Sequence, residues 1–474
     1  METTSNTNVD VAKAAVSVDH PFLSMFGMLI GGFVGMLSET SLNIALPNLM
    51  TSFNVSVGTV QWLVTGYMLI IGIVLPLSSL LTRWFTTRQL IIFALLDFTV
   101  GAVISALAPN FAILMIGRMI QGIGTGIILP LMFTVATLIY PPYKLGAAMG
   151  MIGLVIMFAP AVGPTLSGII LGALNWHWIF WIFIPFLLVG LVFAIKFLPN
   201  VSELTHPKVD KLSILLSTLG FGGLVVAVSS ASNYGWTSPI VLGLLIVAVI
   251  IIVFYVRRQI HTEVPILNFR VFSRRNFTTG AILVMLDFGI ILASMYLLPM
   301  FWQKGLAISV ALTGIVMLPG GLVNAIVSAL SGRLTEQFST KLLAVTGFAL
   351  VIVGVLMLIF ASDEASTIYV IAAHVILMIG APLAMSPTQT FALNALDRET
   401  SSDGSTIMNT EQQIVGAIST AIATSLLAFG EASSHSSSAR IAFTNGAHLG
   451  FIFPLCFAII ALLISLTIKD KRTN

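Results

Sequence analysis

Apolar runs of about 20 residues or more recur from residue 22 almost to the end of the chain, separated by short polar breaks. Wound as helix, such a run matches the hydrocarbon thickness of a bilayer. No water reaches backbone N–H and C=O groups there, so each run must close its own hydrogen bonds. Spans are expected at about 22–47, 60–82, 88–108, 110–133, 145–172, 177–198, 212–232, 237–257, 276–300, 306–331, 340–361, 367–391, 406–430 and 446–468. The fold class is therefore an all-α polytopic membrane protein with fourteen transmembrane helices. Only 8% of the 474 residues are charged and 57% are hydrophobic, too little polar surface to clothe a soluble domain. A net charge of +3 with dispersed bases excludes a disordered or nucleic-acid-binding chain. The one cysteine, Cys456, leaves no intramolecular disulfide, and no Cys/His cluster has metal-ligand spacing.

Charge placement tests the count of spans. Residues 1–21 are polar and mixed in sign, without the basic start and cleavage site of a signal peptide, and read as a cytosolic tail. With that end inside, all but three of the 21 Lys and Arg fall on inner tails, loops or helix ends. Lys304 and Arg440 lie outside, and Arg118 lies within a span. One helix more or fewer would put the downstream bases on the wrong side, so both termini are expected in the cytosol. Segment 76–90, PLSSLLTRWFTTRQL, resembles segment 328–342, SALSGRLTEQFSTKL. This internal similarity suggests two six-helix units, 22–200 and 276–468, with an inserted helix pair at 201–258 and a tail at 469–474. The intervening loop, 259–275, is expected in the cytosol and to be amphipathic. With Arg257 and Arg258 before it and Arg270, Arg274 and Arg275 within it, two readings fit: an amphipathic segment on the inner leaflet, or an ordinary inside-positive loop.

A charge within hydrocarbon is costly, which makes Glu39, Asp97, Arg118 and Asp287 functional candidates. Glu39 in the first helix and Arg118 in the fourth are expected at similar depth, paired directly or through a polar network. Separating them, or admitting a cation beside them, would change how firmly Glu39 holds a proton, which proton-coupled exchange requires. A structural ion pair that fixes helix packing is the competing reading. Asp287 is a candidate second acid, with a static interhelical hydrogen bond as its alternative. Asp97 is balanced between coupling and structure, and Glu411 lies where water could reach it. His374 reads either as a proton shuttle or as a neutral, hydrogen-bonded histidine.

Four motifs resemble those of the major facilitator superfamily, in its fourteen-helix drug/proton antiporter branch of the EmrB/QacA type. Glu39-Thr-Ser-Leu-Asn-Ile-Ala-Leu-Pro47 is similar to the branch's first-helix signature, with glutamate for the usual aspartate. Arg118-Met-Ile-Gln-Gly-Ile-Gly124 matches R-x-x-Q-G-x-G, whose arginine the resemblance implicates in proton coupling. The antiporter motif of helix five reads Gly150, Ala159, Gly163, Pro164, Ser167, Gly168, with alanine and serine at two glycine positions. The resemblance ties it to exporters, through close packing that limits leak. The gate motif after helix two departs most: Ser79-Leu80-Leu81-Thr82-Arg83-Trp84-Phe85-Thr86-Thr87-Arg88 has lost its glycines, and Arg83 stands at the aspartate position. Its second copy keeps Gly332, Leu334, Glu336 and Lys341. This variant is most similar to the lincomycin-resistance LmrB-like subgroup. The resemblance implies a major facilitator fold of two six-helix bundles plus two inserted helices.

The implied activity is proton-coupled efflux of lipophilic, often cationic, drugs by alternating access, driven by the proton gradient with no cofactor. Glu39, Arg118, Asp287 and Asp97 are the candidates for proton coupling. Candidate substrate contacts, chosen by depth, are Glu39, Asn43, Trp62, Tyr67, Phe158, Asp287, Tyr296, Trp302, Asn324, Gln389 and Gln413. Aromatics hold cations and methionines repack around varied ligands. Export of a native amphiphile such as a fatty acid or lipid is the second reading, and proton-coupled uptake of a metabolite the third. No nucleotide-binding or catalytic motif points to an enzyme. The expected partners are small-molecule drugs or amphiphiles, protons and membrane lipids, with no nucleic acid and a monomer in a bacterial cell membrane.

Overall fold

A computed structural model describes residues 20–140, 142–201, 204, 210–262, 265–434, 436 and 438–469. The described residues are helical throughout, with no strand among them. The first half of the chain forms α1 (Pro21–Phe53), the turn α2 (Val57–Val60), α3 (Trp62–Trp84), α4 (Thr87–Ala106), α5 (Phe111–Ile139), α6 (Pro142–Ala173), α7 (His177–Trp181) and α8 (Phe183–Phe197). Two further helices follow, α9 (Lys211–Tyr234) and α10 (Pro239–His261). The second half forms α11 (Arg275–Met300), α12 (Val310–Gln337), α13 (Thr340–Ile359), α14 (Thr367–Leu393), α15 (Arg398–Ala432) and α16 (Ala439–Ser465). Thirteen candidate spans pass by length and apolarity, and up to fourteen when the two arms of α6 are taken as one.

Local chemistry sets the helix ends. Side chains of Ser56, Asn110, Ser309, Ser339 and Ser366 accept hydrogen bonds from the first turns of their helices. Thr86 and Gln89 form a reciprocal capping box at α4. Prolines sit inside α1, α3, α5, α6, α11, α12, α14 and α16. Membrane helices tolerate them because neighbouring helices re-satisfy the freed carbonyls. At α6 the arms Met151–Pro160 and Val162–Ala173 are bent by 41°, which the prolines Pro160 and Pro164 explain. The freed carbonyl of Pro160 accepts a hydrogen bond from Thr40 Oγ1 at 3.1 Å.

Alternate crossings return the start of α1 and the end of α16 to one side, here called the terminal face. The first half packs α1 against α5, α6 and α8; the second packs α11 against α14, α15 and α16. The halves meet where α6 lies on α12, α3 on α15 and α1 on α11. Helices α9 and α10 pack on each other at the side, with α9 touching both α3 and α15. Asp210, just before α9, ties to Arg258 of α10 at 2.8 Å.

Two helix starts differ from the sequence expectation. Helix α15 starts at Arg398 and α16 at Ala439, each a turn or more before the apolar run, because their polar first turns carry helix without carrying hydropathy. The loop before α11 buries part of its apolar surface against the second half. Leu267 and Val271 are buried with Phe277, Ala392, Ile407 and Met408, and Gln259 Oε1 accepts from the backbone of Ile266 at 2.7 Å. The loop thus closes the terminal ends of α11, α14 and α15.

Candidate functional site

A cavity of about 320 Å³ lies between the two halves, within the size range of small-molecule pockets. Its first-half wall comes from α1, α3, α5 and α6 and is apolar apart from Glu39 and Thr40. Its second-half wall carries Asn324, His374, Gln389, Asn409, Gln412 and Gln413. Met36, Met295, Met317, Met378 and Met385 supply much of the remaining surface. Along α14 the lining runs from His374 to Gln389, about 22 Å of helix directed towards the terminal face.

The opposite face is closed. Gln303 Nε2 donates to the Ile44 carbonyl at 3.0 Å, and Thr165 Oγ1 to the Gly314 carbonyl at 2.8 Å. A Cβ on Gly168 would lie 2.6 Å from the Gly314 Cα, so only glycines permit this contact of α6 and α12. Gly163 makes an equally close approach within the first half, where a Cβ would meet Thr40 Oγ1 at 2.4 Å and the Leu37 carbonyl at 3.0 Å. The helix-five motif therefore serves two interfaces. Ala159 and Ser167 are buried along the same helix, Pro164 lines the cavity, and Gly150 lies where burial is not described.

Glu39 is 1% exposed on the cavity wall, and its Oε2 has no hydrogen-bond partner. Arg118 is fully buried behind it. Its Nε donates to the Leu63 carbonyl at 3.2 Å, and Nη1 to Ser38 Oγ at 2.5 Å and Gln121 Oε1 at 2.7 Å. The guanidinium lies over the Tyr67 ring, 3.9 Å from its centre. Among the described residues there is no Glu39–Arg118 ion pair within 4.0 Å; Arg118 instead bonds Ser38, the residue before Glu39 in the chain.

The structure brings Glu39, Asn324, Gln389 and Gln413 of the sequence candidates to the cavity. The others lie elsewhere. Tyr67 seats Arg118, with its hydroxyl 2.8 Å from the Gly35 carbonyl. Asn43, Tyr296 and Trp302 are buried beside the cavity rather than on it. Trp62 is half-buried off the cavity, and Phe158 is 37% exposed on the flank of α6. Asp287 is fully buried within the second half, neither oxygen partnered, one residue before the cavity-lining Phe288. Asp97 is half-buried on α4 beside Gly124 of α5, away from the cavity. Methionines, Met295 among them, were expected to repack around ligands and do line the cavity; His374, Asn409 and Gln412 were not singled out as contacts by sequence, and their common signal was polar residues in late apolar spans.

At the terminal end, Arg88 donates to the Ile195 carbonyl within the first half. Arg83, exposed at the end of α3, faces α15. Gly72 meets Ile414 where α3 and α15 cross, at 3.1 Å for an added Cβ. The helices run antiparallel, and eleven residues from the crossing, forward along α3 and back along α15, lie Arg83 and Asp403, about 16 Å away. Asp403 lies within electrostatic reach of Arg83. Lys341 lies in the first turn of α13, while the burial of Gly332 and Glu336 is not described. No group of three potential metal ligands occurs among the described residues.

Residues 28–420 match the Major Facilitator Superfamily. The chain is 46% identical over 459 residues to the lincomycin resistance protein LmrB of Listeria monocytogenes, covering 95% of this chain and 97% of that protein. It is 46% identical over 463 residues to the LmrB of Bacillus subtilis, covering 95% and 96%. Among solved structures, a D-xylose-proton symporter aligns with a TM-score of 0.68 at 15% identity, covering 95% of this chain and 98% of that one. A POT family transporter aligns with a TM-score of 0.70 at 16% identity, covering 94% and 97%. At such identity these two structures speak for the fold alone.

Proposed function

The chain belongs to the Major Facilitator Superfamily, and we propose that it is a proton-coupled multidrug antiporter exporting lipophilic, often cationic, compounds by alternating access. It is an integral membrane transporter, and its lincomycin-resistance relatives support drug efflux. The observation that carries the finer reading is Glu39: a carboxyl on the cavity wall, buried, with one oxygen unpartnered, while Arg118 is anchored through Nε and Nη1 to other groups rather than to this carboxyl. Such a carboxyl can be neutralised by a proton or by a cationic cargo, and the two then compete for one site. Competition of this kind is the requirement for antiport. Asp287 is the proposed second proton site within the other half; Asp97, half-buried on α4 and off the cavity, is given no step in this cycle.

The methionine wall adapts to varied apolar shapes, and the amides of the second half hold polar groups. The excess of Lys and Arg on the terminal side sets that face in the bacterial cytosol. In the state described, the cavity leans towards that face and the opposite face is closed, ready to load cargo. Rocking then opens the α6–α12 contact and brings Arg83 against Asp403 as the terminal gate, an ion pair where the family uses an aspartate. Each chain encloses its own cavity and works as a monomer.

Export of a native amphiphile is a second reading, favoured by Gly153, which borders the cavity where an added Cβ would meet nothing within 4 Å. The test is uptake of tetraphenylphosphonium into proteoliposomes under an imposed pH gradient. Accumulation that a protonophore abolishes supports antiport. Accumulation indifferent to the gradient, or seen only with anionic lipids as cargo, would sink it.

A further inference from the structure

His374 lies on α14, 1% exposed, with its ring on the cavity wall. Neither Nδ1 nor Nε2 has a hydrogen-bond partner. The ring is nevertheless firmly seated. Gly320 of α12 lies so close that an added Cβ would be 2.4 Å from Nδ1 and from Cε1. Trp302 stands edge-to-face against it, ring centres 5.9 Å apart at 80°. A neutral imidazole offers one donor and one acceptor, and here both are free on a ring that apolar packing holds in place. Most buried polar groups are hydrogen-bonded, and an exception in a native structure calls for an explanation. A hydroxyl or amide of a bound molecule supplies both missing partners.

We propose that His374 is a specificity-determining residue that recognises a hydroxyl or amide group on the cargo. The transporter then prefers cations carrying such a group over otherwise identical cations without it. The division of the cavity supports this: the carboxyl of Glu39 is on the first-half wall, and the neutral donors and acceptors are on the second. Cargo lies with its cation towards α1 and its hydroxyl towards α14. This inference rests on the reading of the cavity as a site for cationic cargo.

The test is binding of two matched probes, butyltriphenylphosphonium and its analogue with a terminal hydroxyl, to the full-length protein in lipid nanodiscs. Wild type is expected to bind the hydroxylated cation roughly tenfold more tightly. His374→Phe should erase that preference, and a melting temperature of the purified variant close to that of wild type shows that it is folded. Gly320→Ala must push the ring from its seat and should erase the preference in the same way, whereas His374→Gln, which keeps a donor and an acceptor, should restore part of it. No preference in wild type, or a preference that survives both His374→Phe and Gly320→Ala, would overturn the assignment. If neither cation binds wild type, the cargo-site reading falls, and this inference with it.

Discussion

Arg118 shows how a permanent charge is held in hydrocarbon. Three hydrogen bonds and the Tyr67 face hold its Nε and Nη1 side while Nη2 has no hydrogen-bond partner, so Arg118 is anchored without a direct ion pair to Glu39 yet stays close enough to feel its charge. The sequence made part of this visible: Gln121 follows Arg118 by three residues, one helical turn on. Ser38 and Tyr67 come from other helices, and depth alone could not separate a residue beneath the guanidinium from one on the cavity. Asp210 is a contrasting case outside the spans. Hydrogen bonds from Arg258 and Ser213 pull its carboxyl down to about 2 from an ordinary 3.8. A depressed folded value means stability present above the unfolded pKa and lost as pH falls through the folded one. The melting-temperature gap between wild type and Asp210→Asn should therefore be constant above about pH 4 and shrink towards pH 2. A gap that does not change across that window would show that the Arg258 contact does not link the loop to α10 in solution.

At the level of elements, the α6–α12 contact sets which face is closed. Gly168→Ala would place a methyl 2.6 Å from the Gly314 backbone, with no flexible side chain to yield. Overpacking of this kind costs about 1–3 kcal/mol and here falls only on the state closed at the opposite face. A cysteine at Met317, with Cys456 replaced by serine, should then label about tenfold faster with an impermeant thiol reagent added at that face. An unchanged rate would show that this contact does not control the closure. The glycine spacing of α6 was legible because close helix approach demands small residues. Two helix starts were not, since polar turns projecting beyond hydrocarbon leave no hydropathy signal. The face that each span turns to the cavity was also hidden. Lipid-facing and core-facing surfaces are both apolar, so periodicity could not tell Phe158, on the flank, from Phe133, on the cavity wall.

For the whole molecule, the order and number of spans were readable because each must cross apolar thickness and charge bias fixes the alternation. The closed face could not be read, since it depends on contacts between distant helices such as Gln303 with Ile44. The equal register of Arg83 and Asp403 on α3 and α15 makes them the proposed gate of reversed charge. Arg83→Asp and Asp403→Arg alone should each lower transport roughly three- to tenfold, because like charges then face each other. The double reversal should restore most of it, and failure of that rescue would remove the pair from the gate.

The central claim is that Glu39 holds either a proton or the cargo. Internal pH of proteoliposomes, followed as tetraphenylphosphonium is added to wild type and to Glu39→Gln, tests it most directly. Wild type should move protons on addition of the cation, and Glu39→Gln should move none. Equal proton movement in the two proteins would contradict the account and place coupling at another group.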